Sequence, residues 1–245
     1  MGSHVNSRER TRQDTQRGFV LHSYPFSETS LVVETFTRDH GRIALLARGA
    51  RRPRSSLRGV LLSFQPLLLS WTGRSELRTL VRAEWQGTYV ALRGETVMCG
   101  FYLNELLLKL LLRDDPHERL YDVYEATLAA LAGDGEREGI LRQFELQLLQ
   151  ELGYAVTLDR DAESGEAIVA RRRYLYVIER GPIADSGSGT GVELSGRTLL
   201  DMQSGRFDSA TTQQQSKALM RTLIDHYLGK QVLRTRQMLR ELQDL

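Results

Sequence analysis

The chain has 245 residues, 41% apolar and 26% charged, an ordinary globular composition that allows one or two domains with a buried core and no covalent staples. Its single cysteine, Cys99, excludes an internal disulfide and a cysteine-based zinc site, and suits a reducing, cytosolic compartment. The formal net charge of only +2 at first sight argues against a nucleic-acid partner, and no apolar run is long enough to cross a bilayer.

Met1-Gly2-Ser3-His4 reads as an expression scar. Residues 1–16 as a whole are polar, lack the apolar middle of a signal peptide, and are expected to be disordered. Residues 17–90 then read as strands: Gly18 to Tyr24, Thr29 to Thr37, Arg42 to Arg48, Leu67 to Trp71 and Glu76 to Trp85. Each has β-branched or aromatic residues in period two, bounded by Gly or Pro. Short turns join the second to the third and the fourth to the fifth, as hairpins require. A short apolar piece, Leu57 to Leu62, follows the third strand and has helical character. Five strands with an extra piece after the third match an OB-fold barrel, whose face and loops bind single strands.

Seven arginines crowd the stretch from Arg38 to Arg58 (Arg38, Arg42, Arg48, Arg51, Arg52, Arg54, Arg58) against one acid, Asp39. Their centre, Gly49 to Ser56, is a loop by its Gly, Pro and Ser content. A planar guanidinium can bond two phosphate oxygens at once, so these side chains, with Arg78 and Arg82 on one face of the fifth strand, are the expected DNA contacts. Trp71 is a further expected contact. Both Trp71 and Trp85 can stack on bases or fill a small barrel, and period two does not separate the two roles.

Residues 91–245 read as a helical domain. Apolar residues recur at helical spacing from Thr96 to Arg113. Asp115 and Pro116 read as the N-cap and first residue of a second helix that ends near Gly133. Further helices are expected over Glu138 to Leu152, Thr211 to Leu228, and after Leu233. Residues 154–195 interrupt this pattern with polar and Gly/Ser loops around one strand-like stretch, Arg173 to Glu179. The fold class is therefore α+β: an N-terminal OB-fold barrel, then a mostly helical domain with a small irregular insertion.

Catalytic motifs are poor. In Gly187-Ser188-Gly189-Thr190-Gly191, Val192 stands where a dinucleotide fingerprint needs its third glycine. The histidines form no i, i+4 pair for a metal. No cofactor and no enzymatic activity are expected. The charge, by contrast, is informative once divided. The first hundred residues carry 15 arginines against 8 acids, net +7, and the remaining 145 sum to −5. A basic half beside an acidic half points to nucleic-acid contact by the first.

Several stretches, in order along the chain, resemble the RecO family of bacterial DNA repair and recombination mediators. They are Gly18-Phe19-Val20-Leu21-His22-Ser23 with Ser27-Glu28-Thr29-Ser30-Leu31, Ala47-Arg48-Gly49-Ala50-Arg51 and Gln65-Pro66-Leu67-Leu68-Leu69 in the basic half. Tyr102-Leu103-Asn104-Glu105-Leu106, Leu141-Arg142-Gln143-Phe144-Glu145-Leu146 with Leu152-Gly153-Tyr154, and Tyr227-Leu228-Gly229 with Leu233-Arg234-Thr235-Arg236 follow. The resemblance implies an OB-fold followed by a helical domain, and binding of single- and double-stranded DNA. It also implies annealing of strands coated with single-strand-binding protein, and, with RecR, loading of RecA, all in the cytoplasm at the nucleoid. An adaptor with little DNA affinity of its own is the alternative. Many members carry a four-cysteine zinc site after the Leu-Gly-Tyr segment. Here Asp159 stands near the first such position and residues 154–195 hold neither Cys nor His, so no zinc is expected and packing alone must hold the insertion. For the acidic tail of single-strand-binding protein, Arg142 is the expected carboxylate clamp, unless it pairs with Glu138 or Glu145 along its own helix.

Overall fold

The first strand, β1 (Arg12–Pro25), starts at Arg12 rather than at Gly18. This is seen in a computed structural model that describes residues 12–87, 91–154, 156–187 and 189–243. Residues 1–11 of the expected disordered segment lie outside the described residues, but residues 12–16 are strand. Their polar side chains hid them from an apolar pattern. What holds them is the backbone ladder to β4 (Leu67–Thr72), with Arg12 opposite Thr72 and Gly18 opposite Leu67. The ladder is interrupted between Gln13 and Gln16. There Thr15 takes a φ of 58° and its N–H donates to Ser70 Oγ at 3.1 Å.

β2 (Leu31–Thr37) pairs with the other end of β1 and with β3 (Gly41–Ala47). β5 (Leu77–Trp85) pairs with β4 and, in parallel, with β3. The strand order β1-β2-β3-β5-β4 closes on itself through β1 and β4, so the sheet is a five-stranded barrel. The short helix α1 (Leu57–Val60) follows β3. Inside the barrel are Val20, Val33, Ile43, Leu45, Leu67, Leu69, Trp71 and Leu80. Each such aliphatic side chain contributes about 1.5–3 kcal/mol by leaving water.

The chain divides into two compact units, and the division does not fall at residue 91 alone. Residues 111–121 belong with the barrel, whereas 92–110 and 122–245 form the second unit. The reason lies at the β2–β3 turn. Gly41 has a φ of +65°, and a Cβ there would stand 1.9 Å from the carbonyl oxygen of Asp115. Only glycine lets the 111–121 segment lie so close. Asp114 N–H donates to Arg42 O at 3.0 Å, adding a strand-like bridge. This clamp keeps Asp115 and Pro116 out of the helix. Instead α3 (Glu118–Ala132) starts two residues later, with Tyr121 N–H donating to His117 O. Asp115 is therefore not its N-cap.

The second unit is built from α2 (Glu95–Leu110), most of α3, α4 (Arg137–Glu151), α6 (Ala210–Leu228) and α7 (Arg234–Gln243). Leu103, Leu106, Leu107, Leu128, Phe144, Leu148, Leu223 and Ile224 are buried in it. The Ser209 side chain caps α6 by accepting from Thr212 N–H, and Gly229 ends it. Glu105 on α2 plays the same role for α7, accepting from the N–H groups of Arg234 and Thr235, both at 2.9 Å.

The insertion is more regular than its sequence suggests. β6 (Arg173–Val177) is the centre of a three-stranded sheet with β7 (Gly181–Ala184) and β8 (Val192–Ser195) at its sides. α5 (Gly196–Gln203) follows directly, capped by Ser195. Packing does not hold this region alone. The buried Asp161 carboxylate accepts from the N–H groups of Glu163 (2.8 Å), Ser164 (3.1 Å) and Ala184 (2.8 Å), tying the 159–168 loop to β7. Burial pushes this carboxyl up, but the backbone N–H groups outweigh it and hold the group below the ordinary carboxylate range. Its contribution is thus present above about pH 4 and lost as pH falls through the lowered folded-state value. Asp161→Ala strands three donors and is expected to cost about 3 kcal/mol locally. Amide exchange at Ala184 should then accelerate by roughly 100-fold, measured against an unchanged α6.

Candidate nucleic-acid interface

The nine arginines expected to face DNA do not form one surface. Five of them, Arg48, Arg51, Arg52, Arg54 and Arg58, are exposed on the segment that leaves β3 and runs into α1. Turn hydrogen bonds shape this loop: Arg52 N–H donates to Gly49 O (3.1 Å) and Ser55 N–H to Arg52 O (3.0 Å). A second set ties it to the β1–β2 loop. Arg51 N–H donates to Thr29 O at 2.9 Å, and its guanidinium donates to Ser27 O at 2.6 Å. Between Asp39 and Glu76 the chain contains no acidic residue. The positive charge of this loop is therefore not neutralised from within its own stretch.

The other four arginines are engaged. Arg38 pairs with Glu118 at 2.9 Å, and Arg78 with Asp114 at 2.5 Å. Arg82 is exposed beside Glu84, 2.5 Å away. Arg42 is half-buried beside Glu34 and Arg113; burial lowers its guanidinium from the ordinary value, opposed by Glu34. Arg78 and Arg82 do not share a face of β5, although their spacing suggests it. A register shift falls between Ser70 and Trp71, which pair with Arg82 and Leu80. One extra residue in the strand reverses the alternation beyond it.

Trp71 is not a stacking residue. It is 1% exposed, lies in the barrel core, and meets the His40 ring edge-on at 5.2 Å. A closed five-stranded barrel is narrow, and its alternation aims this indole inward with Leu67 and Leu69. Trp85, in contrast, is 54% exposed at the end of β5. Aromatic residues that sequence reasoning missed stand at the β1–β2 end: His22, Tyr24 and Phe26, all exposed. The signal was there as an i, i+2, i+4 aromatic alternation running past Pro25 into the turn.

In the second unit, Arg142 is not displayed as a clamp. Its side chain is 11% exposed and donates to Glu145 Oε1 at 2.5 Å, along its own helix. Tyr102 O–H donates to the same oxygen at 2.6 Å. Burial and the neighbouring carboxylate push the Tyr102 hydroxyl far above its ordinary value, so it remains a donor. Arg236 lies over the Tyr102 ring at 5.7 Å and pairs with Asp225. A cavity of about 550 Å³ beside α4 is lined mainly by amides and apolar groups, among them Gln143, Gln147, Gln150, Tyr154 and Gln203. Its acidic member, Asp159, is bound by the Arg160 guanidinium at 3.0 Å. The residues near Asp159 do not fit a zinc ion: among the described residues no three His, Cys, Asp or Glu gather as ligands. Among the described residues, no helix is long and apolar enough to cross a membrane.

Residues 12–89 match the family model described as Recombination protein O N terminal, and residues 92–240 match Recombination protein O C terminal. Over 239 residues the chain is 56% identical to the DNA repair protein RecO of Nitrosospira multiformis, covering 97% of this chain and 99% of the relative. It is 53% identical to the DNA repair protein RecO of Aromatoleum aromaticum, over 97% of this chain and 99% of that one. Identity to the RecO protein of Thiobacillus denitrificans is 54%, over 96% of this chain and 94% of the other. With a closed barrel, a helical second unit and both halves matched, the chain belongs to the RecO family, and its role lies in recombinational DNA repair.

Proposed function

We propose that this chain binds DNA through the barrel loop that carries Arg48, Arg51, Arg52, Arg54 and Arg58, and brings complementary single strands together. Two polyanions repel, and a surface that neutralises both backbones lowers that barrier while leaving bases free to pair. The observation that carries this reading is the exposed, acid-free arginine loop. Duplex DNA presents the same phosphates, so the loop binds it as well. The chemistry is non-covalent, and no catalytic residue, metal or cofactor enters it. Within repair, the chain acts on DNA covered by single-strand-binding protein and, together with RecR, assists RecA in replacing that cover, in the cytoplasm at the nucleoid.

A strand-annealing measurement tests the reading. Two complementary labelled oligonucleotides, each coated with bacterial single-strand-binding protein, are mixed with and without the purified chain. Annealing is expected to accelerate at least tenfold at low salt, with the gain lost as salt rises above about 0.3 M. No acceleration, together with no shift of naked single-stranded DNA, would leave a protein adaptor as the surviving function.

A further inference from the structure

The end of β1, with His22 and Tyr24, and the turn after it, with Phe26, present three exposed aromatic rings leading into the turn that is bound to the arginine loop, and folding does not account for them. Tyr24 is 42% and Phe26 58% exposed. His22 and Tyr24 lie ring over ring, 6.2 Å between centroids and 29° between planes. Phe26 sits on a turn that its own hydrogen bonds hold rigid. Its N–H donates to Ser30 O at 3.0 Å, and Ser30 N–H donates back to Ser27 Oγ at 3.2 Å. The same turn is bound to the basic loop, since Ser27 O accepts from the Arg51 guanidinium and Thr29 O from the Arg51 N–H. A phenyl ring held in water gains nothing from the protein's own core. Rings beside cationic groups on a barrel loop fit a base with its phosphate: the guanidinium takes the backbone, and the ring takes the flat face.

From this juxtaposition we infer that Tyr24 and Phe26 are base-stacking residues that let the chain prefer single-stranded over duplex DNA. The inference rests on the reading that the arginine loop is the DNA contact, and it divides the labour at that site. Arginines contact phosphates, which both DNA forms present. Rings contact base faces, which only an unpaired strand offers. The sugar and sequence are indifferent to such a platform, because every base has a flat face. Both side chains are exposed, so removing them leaves the barrel core untouched.

Fluorescence anisotropy with a labelled oligothymidine and with a duplex of mixed sequence tests this on the full chain. The combined variant Tyr24→Ala and Phe26→Ala is expected to weaken oligothymidine binding by more than about tenfold while changing duplex binding by less than about twofold. The salt slope on single strands should stay as in the parent, because no charge is removed. Phe26→Trp should retain single-strand affinity, and its indole emission should be quenched by oligothymidine and not by duplex. An equal loss on both forms, or no loss on either, overturns the inference. The parallel variant Arg51→Ala, Arg52→Ala and Arg54→Ala separates the two levels. If it weakens both DNA forms and the ring variant weakens neither, only the stacking inference fails. If it too is without effect, the arginine-loop reading fails with it.

Discussion

Replacing Arg51, Arg52 and Arg54 together by alanine is expected to weaken single-stranded DNA binding by about 100-fold at 0.1 M salt. The figure follows from counterion release. Each neutralised phosphate on a single strand contributes a slope of about −0.7 in log affinity against log salt, so three contacts contribute about −2. Over one decade of salt below 1 M that amounts to roughly two powers of ten. Anisotropy titrations between about 50 and 500 mM salt should therefore give a variant line shallower by about 2, converging on the parent at high salt. Arginine-to-lysine replacements at the same three sites should restore the slope but not the full affinity, because an ammonium cannot bond two phosphate oxygens in parallel. The loop is exposed and its loss of the Arg51 guanidinium to Ser27 O bond is a surface change, so the melting temperature should hardly move. An unaltered slope would mean that the loop is solvated and carries no phosphate.

The largest expected effect on stability comes from Glu145. Its carboxylate is fully buried and accepts from Arg142 and Tyr102 at one oxygen. Glu145→Ala would leave the nearly buried Arg142 guanidinium without its partner, a change that costs about 3–5 kcal/mol. For a chain of this size that lowers the melting temperature by roughly 10 °C, readable by calorimetry. Removing the other partner makes a distinct prediction. Burial already pushes the Glu145 carboxyl up, opposed by Arg142 and by the Tyr102 hydroxyl bond. Without Arg142 the carboxyl rises further and holds its proton in the folded state. A group raised on folding supports stability below its unfolded value and withdraws support as pH rises through its folded value. The stability gap between the parent and Arg142→Ala should then widen as pH rises through the parent's raised folded value towards the still higher one of the variant. A constant gap would show that the Arg142 guanidinium carries its role through packing alone. A peptide-binding test of Arg142→Ala has to be read beside this effect, because the side chain serves the helical core before any partner.

Much of this was legible in the chain. Four of the five strands come within a few residues of their places because β-branched alternation is a local property. α2, α4 and α6 follow from apolar residues at helical spacing with Gly153 and Gly229 as stops. The insertion was the least legible part. β7 and β8 are each four residues long, and their content of Gly, Pro and Ser looks like loop. Only pairing on both sides of β6 makes them strands. The start of β1 was hidden for the opposite reason: its polar residues carry no pattern, and it is strand because its backbone pairs with β4 and closes the barrel.

The amino-acid sequence by itself determined the basic and acidic halves, the position of the arginine loop, the likeness to RecO proteins and the want of zinc ligands, because charge, composition and residue type do not depend on folding. Tertiary structure alone decided which arginines stay free of acids, since Arg38 meets Glu118 and Arg78 meets Asp114 only across long stretches of chain. It also decided that Trp71 fills the barrel while Tyr24 and Phe26 face water. Period two says that neighbours alternate, but which side is inside depends on closure of the sheet and on a single extra residue in β5. Such a shift turns every later side chain to the other face.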